Sequence, residues 1–277
     1  MTTPGVALSG GGASPDREAR LNRQREPLPT RVGSLPDLPD SYARELDRAL
    51  TALGLTLDAT ARAAIDGHVR LLLAWTAVIN LTAITDPVAV ARQHVADSLA
   101  AIELLRAGPH ASVLDLGSGG GYPGLPIAAA LPAARVLLLD SIAKKTAFLE
   151  VARRAVGLED RLTVATARLE ALTGAGPAAG WDVVTARAVG RLGDLVELAL
   201  PVLRIGGRLV AWKRGNLADE LAAGGRAAAR LGGSRPEVHD VPHAVGLDGH
   251  VLVVVRKERP SPAGYPRDPA ARRRGPW

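Results

Sequence analysis

Residues 112–126 read Ser112-Val113-Leu114-Asp115-Leu116-Gly117-Ser118-Gly119-Gly120-Gly121-Tyr122-Pro123-Gly124-Leu125-Pro126. A short apolar stretch runs straight into a glycine cluster, and an apolar run to Leu131 follows. That is the pattern of a strand, a tight turn and the start of a helix. Glycine serves such a turn because the chain takes backbone angles closed to other residues and lets main chain approach a ligand closely. Downstream, apolar periodicity predicts strands over Val136 to Asp140, Leu162 to Ala165, Asp182 to Ala186, Arg208 to Lys213 and Val251 to Arg256. Between them it predicts helices over Ile142 to Val156, Leu192 to Leu203 and Leu217 to Leu231. Strands alternating with helices predict an α/β, doubly wound parallel sheet. Ligands of such sheets bind beyond the carboxyl ends of the strands, near the switch in strand order. The glycine cluster follows the first strand, where that rule places a cofactor.

Upstream of this loop the pattern is purely helical. Apolar residues at helical spacing begin near Asp40 with Ala43, Leu46, Leu50 and Leu53. A second helix is predicted from Asp58, a good N-cap, to Val78, and a third from Asp86-Pro87 to Arg106. Residues 1–38 are rich in Gly, Pro, Ser and Arg without periodicity and are expected to be disordered. The expected organisation is therefore a disordered extension (1–38), a helical cap (39–108), the sheet domain (109–258) and a basic tail (259–277).

Composition excludes several classes. The chain has 277 residues and no cysteine, so disulfides and cysteine-ligated metals are ruled out. No metal is expected. No basic-then-apolar leader opens the chain and no apolar run is long enough to span a bilayer, so no membrane association and a cytoplasmic location are expected. The net charge is +6, and the segment from Arg256 to Trp277 supplies most of it, with seven basic residues against two acidic. Such a tail is either an electrostatic handle for phosphate or a solvated, disordered end.

Asp115 ends the first strand, where it can fix the loop or accept from a ligand ammonium. Gly119 and its neighbours supply the turn. Asp140 ends the second strand, placed to accept from ribose hydroxyls or to cap the next helix. Gly119-x-Gly121-x-x-Gly124 also satisfies the dinucleotide pattern, which alone is weak evidence. The acidic residue two positions before the first glycine, and Leu203-Arg204-Ile205-Gly206-Gly207-Arg208-Leu209-Val210 read as helix, Gly-Gly turn and strand, resemble S-adenosylmethionine-dependent methyltransferases instead. A cysteine nucleophile is absent, and Thr185-Ala186-Arg187-Ala188 stands where an amine-directed Asn/Asp-Pro-Pro-aromatic motif would lie. What remains is an acceptor that is already nucleophilic, such as a ring nitrogen, or an O-acceptor with a separate base.

The chain resembles the bacterial 16S ribosomal RNA N7-guanine methyltransferases, the glucose-inhibited division protein B family. The carrying segments are Trp75, Asn80-Leu81-Thr82, Asp86-Pro87, His94-x-x-Asp97-Ser98, the loop 115–126, Leu139-Asp140-Ser141 with Lys144-Lys145 and Phe148-Leu149, Arg168-Leu169-Glu170, Arg187-Ala188, Lys213-x-Gly215 and Tyr265-Pro266-Arg267-x-Pro269. Gln93 and Tyr122 depart from the residues common there. The resemblance implies a seven-stranded, Rossmann-like class I methyltransferase sheet with an N-terminal helical cap. It implies S-adenosylmethionine contacts at Gly117, Tyr122, Leu169, Glu170 and Arg187, beside Asp115, Gly119 and Asp140. It implies action on 16S ribosomal RNA or the small ribosomal subunit, and a monomer is expected. Arg187 and His94 are the candidate catalytic residues, His94 either closing the pocket or pairing with Asp97. Arg187 either binds phosphate or the cofactor carboxylate, or pairs with Asp115 or Glu170. Lys144, Lys145, Arg191 and Lys213 are candidates for RNA contact. Guanine N7 carries a free lone pair, so alignment can do most of the catalysis and no general base is required.

Overall fold

The computed structural model describes residues 27–106, 111–171 and 176–277. The expectation of disorder for residues 1–26 lies outside the described residues. One seven-stranded sheet organises the chain, in the order β3-β2-β1-β4-β5-β7-β6. The strands are β1 (Ser112–Leu116), β2 (Arg135–Asp140), β3 (Leu162–Thr166), β4 (Trp181–Arg187), β5 (Leu203–Arg214), β6 (Glu237–Asp240) and β7 (His250–Arg256). β7 runs antiparallel between β5 and β6, and the other ladders are parallel. Strand order reverses between β1 and β4, which puts the ligand crevice at the carboxyl end of β1.

Both faces of the sheet are covered, as the continuous apolar strands demand. Successive side chains of β1 and β2 alternate between the two cores: Val113, Val136 and Leu138 face one, Leu114, Leu137 and Leu139 the other. The first core is shared with the N-terminal helices Asp40–Ala52 and Ala59–Thr76, so helical cap and sheet are packed as one body. Trp75 belongs to that core, with its ring 5.4 Å from Phe148. The second core takes the helices Leu192–Val202 and Ala218–Leu231.

The structure departs from the sequence-based expectations at five places. Residues 27–38 are ordered: Leu28, Val32, Leu35 and Leu38 pack on the first core, and Pro29 O accepts from Trp75 Nε1 at 2.8 Å. The predicted helix from Asp86 to Arg106 is broken into Pro87–Val90, a π-helical turn over Ala91–Ala96, Asp97–Leu99 and Ile102–Leu105. Such turns insert a residue and re-aim side chains, and this one carries Gln93 and His94. β5 starts at Leu203, ahead of the Gly206-Gly207 pair, because Leu203 pairs with Trp181 before the chain kinks. β6 went unpredicted; its Glu-Val-His-Asp sequence has no apolar face because it is an exposed edge strand. The segment after β7 is folded as well, with a short helix over Pro269–Arg274, so its charge is not that of a disordered end.

Candidate functional site

The glycine loop is held from inside the protein. The backbone N–H groups of Gly117 and Ser118 donate to Leu139 O at 2.8 and 3.1 Å, and Ser118 Oγ donates to Asp115 O at 3.0 Å. Asp115 is fully buried. Its Oδ1 accepts from Thr185 Oγ1 at 2.8 Å and its Oδ2 from Gly124 N at 3.2 Å, while burial pushes its carboxyl pKa up. One oxygen is engaged by the loop and the other by β4, and Asp115 lines neither cavity, which favours the loop-fixing role over contact with a ligand ammonium. Asp140 Oδ2 accepts from Gly119 N at 2.9 Å and Oδ1 from Ile142 N at 2.9 Å. Gly119 therefore orients Asp140, which still faces a cavity with free lone pairs.

That cavity, of about 400 Å³, lies across the carboxyl ends of β1, β2 and β3. Its lining runs from Gly117 and Val189 past Asp140, Ser141 and Lys145 to Leu169, Glu170 and Arg272. The volume suits a nucleoside-sized ligand. Gly117 has φ +72°, and a Cβ there would stand 2.6 Å from Val189 Cγ2, so only glycine fits beneath the valine.

A second cavity of about 400 Å³ lies on the other side of Ala188, which lines both. Ala188 has φ +58°, a left-handed conformation that costs an alanine about 1–2 kcal/mol and bends the chain between the cavities. Ile84, Gln93, His94, Asp97, Arg187, Trp212, Lys213, Glu220 and His250 are on its wall. Arg187, at the end of β4, is the hub. Its Nη1 donates to Gln93 O and to Asp97 Oδ2, both at 3.0 Å, and its Nη2 faces His94 Nδ1 at 3.3 Å. The partner is therefore Asp97 rather than Asp115 or Glu170. With a donor at Nδ1, the proton of His94 sits on Nε2, which donates to Thr82 Oγ1 at 2.7 Å. Burial, then the nearby Arg187 charge, lowers the His94 pKa to about 4, so it is neutral. His94 and Asp97 do not pair. Asp97 instead bridges Arg187 and His250, whose Nδ1 is 3.1 Å from Asp97 Oδ1. Trp212 Nε1 closes the group by donating to Asp97 O at 2.7 Å.

Tyr122 lines neither cavity. Its ring lies between His68 (4.6 Å) and His94 (4.7 Å), with the Arg187 guanidinium 5.4 Å from its centroid. It carries the π-turn of the cap on the back of the glycine loop. His68 Nε2 reaches Gly120 O at 2.8 Å, and burial lowers the His68 pKa to about 4.

The RNA candidates divide. Lys144 and Arg191 are exposed, Lys145 lines the first cavity, and Lys213 is neutralised by Glu220 at 2.5 Å while donating to Gly190 O at 2.6 Å. His250, Trp212, Glu220, Ala188 and Arg272 were missed by sequence reasoning. His250 stands 153 positions from Asp97, and no local pattern joins them.

Comparison with known proteins agrees with this geometry. The profile of a family described as rRNA small subunit methyltransferase G matches residues 62–245. Proteins named ribosomal RNA small subunit methyltransferase G are similar over most of their length. That of Roseiflexus castenholzii is 41% identical over 225 residues, 80% of this chain and 94% of the relative. That of Symbiobacterium thermophilum is 35% identical, with 82% and 94% covered. That of Deinococcus radiodurans is 40% identical over 198 residues, with 71% and 78% covered. A glycine-loop cavity, a second cavity joined to it at Ala188, and a match of this extent place the chain in the rRNA small subunit methyltransferase G family.

Proposed function

We propose that this enzyme transfers a methyl group from S-adenosylmethionine to N7 of a guanine in small-subunit ribosomal RNA, acting as a cytoplasmic monomer. The first cavity fits the cofactor: Asp140 offers acceptors for ribose hydroxyls, Leu169 an apolar wall and Glu170 an acceptor on the β3 side for the base. Gly117 and Val189 lie on the side toward β4 for the methionine portion. Bound there, S-adenosylmethionine supplies a methyl group on a positively charged sulfur. The second cavity receives the acceptor base, beside Ala188.

The observation that carries the N7 reading is the pairing inside that second cavity. Arg187 holds Asp97, Lys213 holds Glu220, and His94 is kept neutral with both ring nitrogens engaged. These side chains are occupied with one another and orient a base rather than take its proton. A ring nitrogen with an in-plane lone pair needs no proton removed, so alignment carries the rate.

The test is incubation of the enzyme and cofactor with naked small-subunit RNA, intact small subunits and whole ribosomes, followed by mass mapping. New N7-methylguanine is expected in at least one substrate, and its absence from all three refutes the proposal. The Asp97–His250 pair favours a second reading, a base-assisted acceptor such as a hydroxyl. His250→Asn separates the two. N7 transfer keeps its rate within about fivefold, whereas loss of a general base costs about 10²–10⁴-fold.

A further inference from the structure

Glu197 sits in the helix Leu192–Val202 with its side chain wholly buried. A buried carboxylate is costly unless several donors meet it. Here the donors come from the end of the chain. Arg267 gives its backbone N–H (2.8 Å), Nε (3.0 Å) and Nη2 (2.6 Å), and Trp277 gives Nε1 at 2.6 Å. The indole also lies on Gly193, where a Cβ would stand 2.7 Å from Trp277 Cβ. Arg267 is stacked over Tyr265 and Trp277, 5.9 and 5.2 Å from the ring centroids. Between these anchors runs the helix Pro269–Arg274, capped by Asp268, whose carboxylate accepts from Ala270 N and Ala271 N. The tail is thus fixed at both ends of that helix.

What it presents to the cofactor cavity is Arg272. The guanidinium donates to Arg267 O at 3.0 Å and forms an ion pair with Glu170 Oε1, both side chains being mostly buried (13% and 17% exposed). Within the cavity, Gly117 follows β1, Asp140 ends β2, and Leu169 and Glu170 follow β3. A ribose held at Asp140 directs its base away from the methionine end, over β3, onto Leu169 and Glu170. Adenine offers a 6-amino donor beside a ring-nitrogen acceptor. A free carboxylate would be drawn to the first, repelled by the second, and free to rotate into water. Arg272 occupies Oε1, cancels the charge and leaves Oε2 as an acceptor at a fixed place.

We propose that Arg272 is a positioning residue of the cofactor site: latched by Glu197, the C-terminal helix sets the Glu170 carboxylate to read the 6-amino group of the adenine. This rests on the assignment of the cavity to S-adenosylmethionine. The test is calorimetry on the full chain with two probes, S-adenosylhomocysteine and S-inosylhomocysteine, which carries a 6-oxo group instead. The wild-type protein prefers the adenosyl ligand by about tenfold or more, the worth of one charge-assisted hydrogen bond. Arg272→Gln weakens the adenosyl ligand by about tenfold and the inosyl ligand by no more than about twofold, so the preference collapses. Arg273→Gln, an exposed neighbour on the same helix, keeps the wild-type preference. Should Arg272→Gln fail to fold, Arg272→Lys replaces it, with the preference expected to narrow. Equal weakening of both ligands, or of neither, overturns the inference. Failure of the wild-type protein to bind S-adenosylhomocysteine overturns the cavity assignment instead.

Discussion

Replacing Asp97 by asparagine keeps the side-chain volume and removes one buried charge. Asp97 is 3% exposed. Its Oδ2 accepts from Arg187 Nη1 and its Oδ1 from His250 Nδ1, both donors. Asparagine keeps one oxygen for Arg187 but turns a donor toward His250, so that bond persists only if the imidazole moves its proton from Nδ1 to Nε2, and the charge that pairs with Arg187 is lost. The bond from Trp212 Nε1 ends on the main-chain oxygen and is untouched. Removing one partner of a buried ion pair costs about 3–5 kcal/mol. Arg187 keeps Gln93 O and the Tyr122 face, which puts the loss at the lower end, about 3 kcal/mol. At about 2–4 °C per kcal/mol for a domain of this size, Tm falls by about 6–12 °C. Urea denaturation and calorimetry at pH 7 measure both quantities. Function divides in the same experiment. The cofactor cavity does not include Asp97, so the Kd for S-adenosylmethionine stays within about threefold, while methyl transfer falls by about tenfold or more as the acceptor cavity loosens. A stability loss below about 1 kcal/mol, with unchanged transfer, would show that Arg187 and His250 hold their places without Asp97.

Acid should destabilise the protein through its buried histidines. His68 and His94 have folded pKa values of about 4, against 6.5 when unfolded. Between those values the unfolded chain binds more protons, so stability is full above pH 6.5 and falls as pH drops toward 4. The loss is about 3 kcal/mol per histidine, and urea midpoints from pH 7 to 4.5 in wild type and His68→Asn measure it, with a shallower dependence expected in the variant. Gly117→Ala places a Cβ against Val189 at a φ of +72°, so calorimetry should show S-adenosylmethionine binding weakened by about tenfold or more, and wild-type affinity would contradict the loop assignment. Lys145→Ala should raise the Kd for S-adenosylmethionine severalfold and Lys144→Ala should not, because only Lys145 faces the cavity. Equal effects would remove that distinction.

What the sequence disclosed followed from how local each signal is. The glycine loop, Asp140 and the residues after β3 are placed by strand ends, and a strand end is visible in a short apolar run; hence the first cavity contains Gly117, Asp140, Leu169 and Glu170 together. The second cavity is made by distance. Arg187 meets Asp97 across 90 positions and Asp97 meets His250 across 153, contacts that no period or spacing records. The resemblance places Tyr122 at the cofactor, yet its ring faces the cap, because the π-turn that presses His94 against it is not readable from the residues. The tail shows a further kind of blindness. Its charge was counted, but the carboxylate that binds it, Glu197, stands in the apolar helix Leu192–Val202, where an acidic residue on a buried face is itself the sign of a cationic partner elsewhere. The same logic applies to RNA binding. Around the second cavity, Arg187 and Lys213 are paired with Asp97 and Glu220, which leaves them less charge to offer a phosphate. If the proposed function holds, salt-sensitive affinity is expected to rest on the exposed cations Arg191 and Arg214 beside that cavity, because the fold has already paired the other charges.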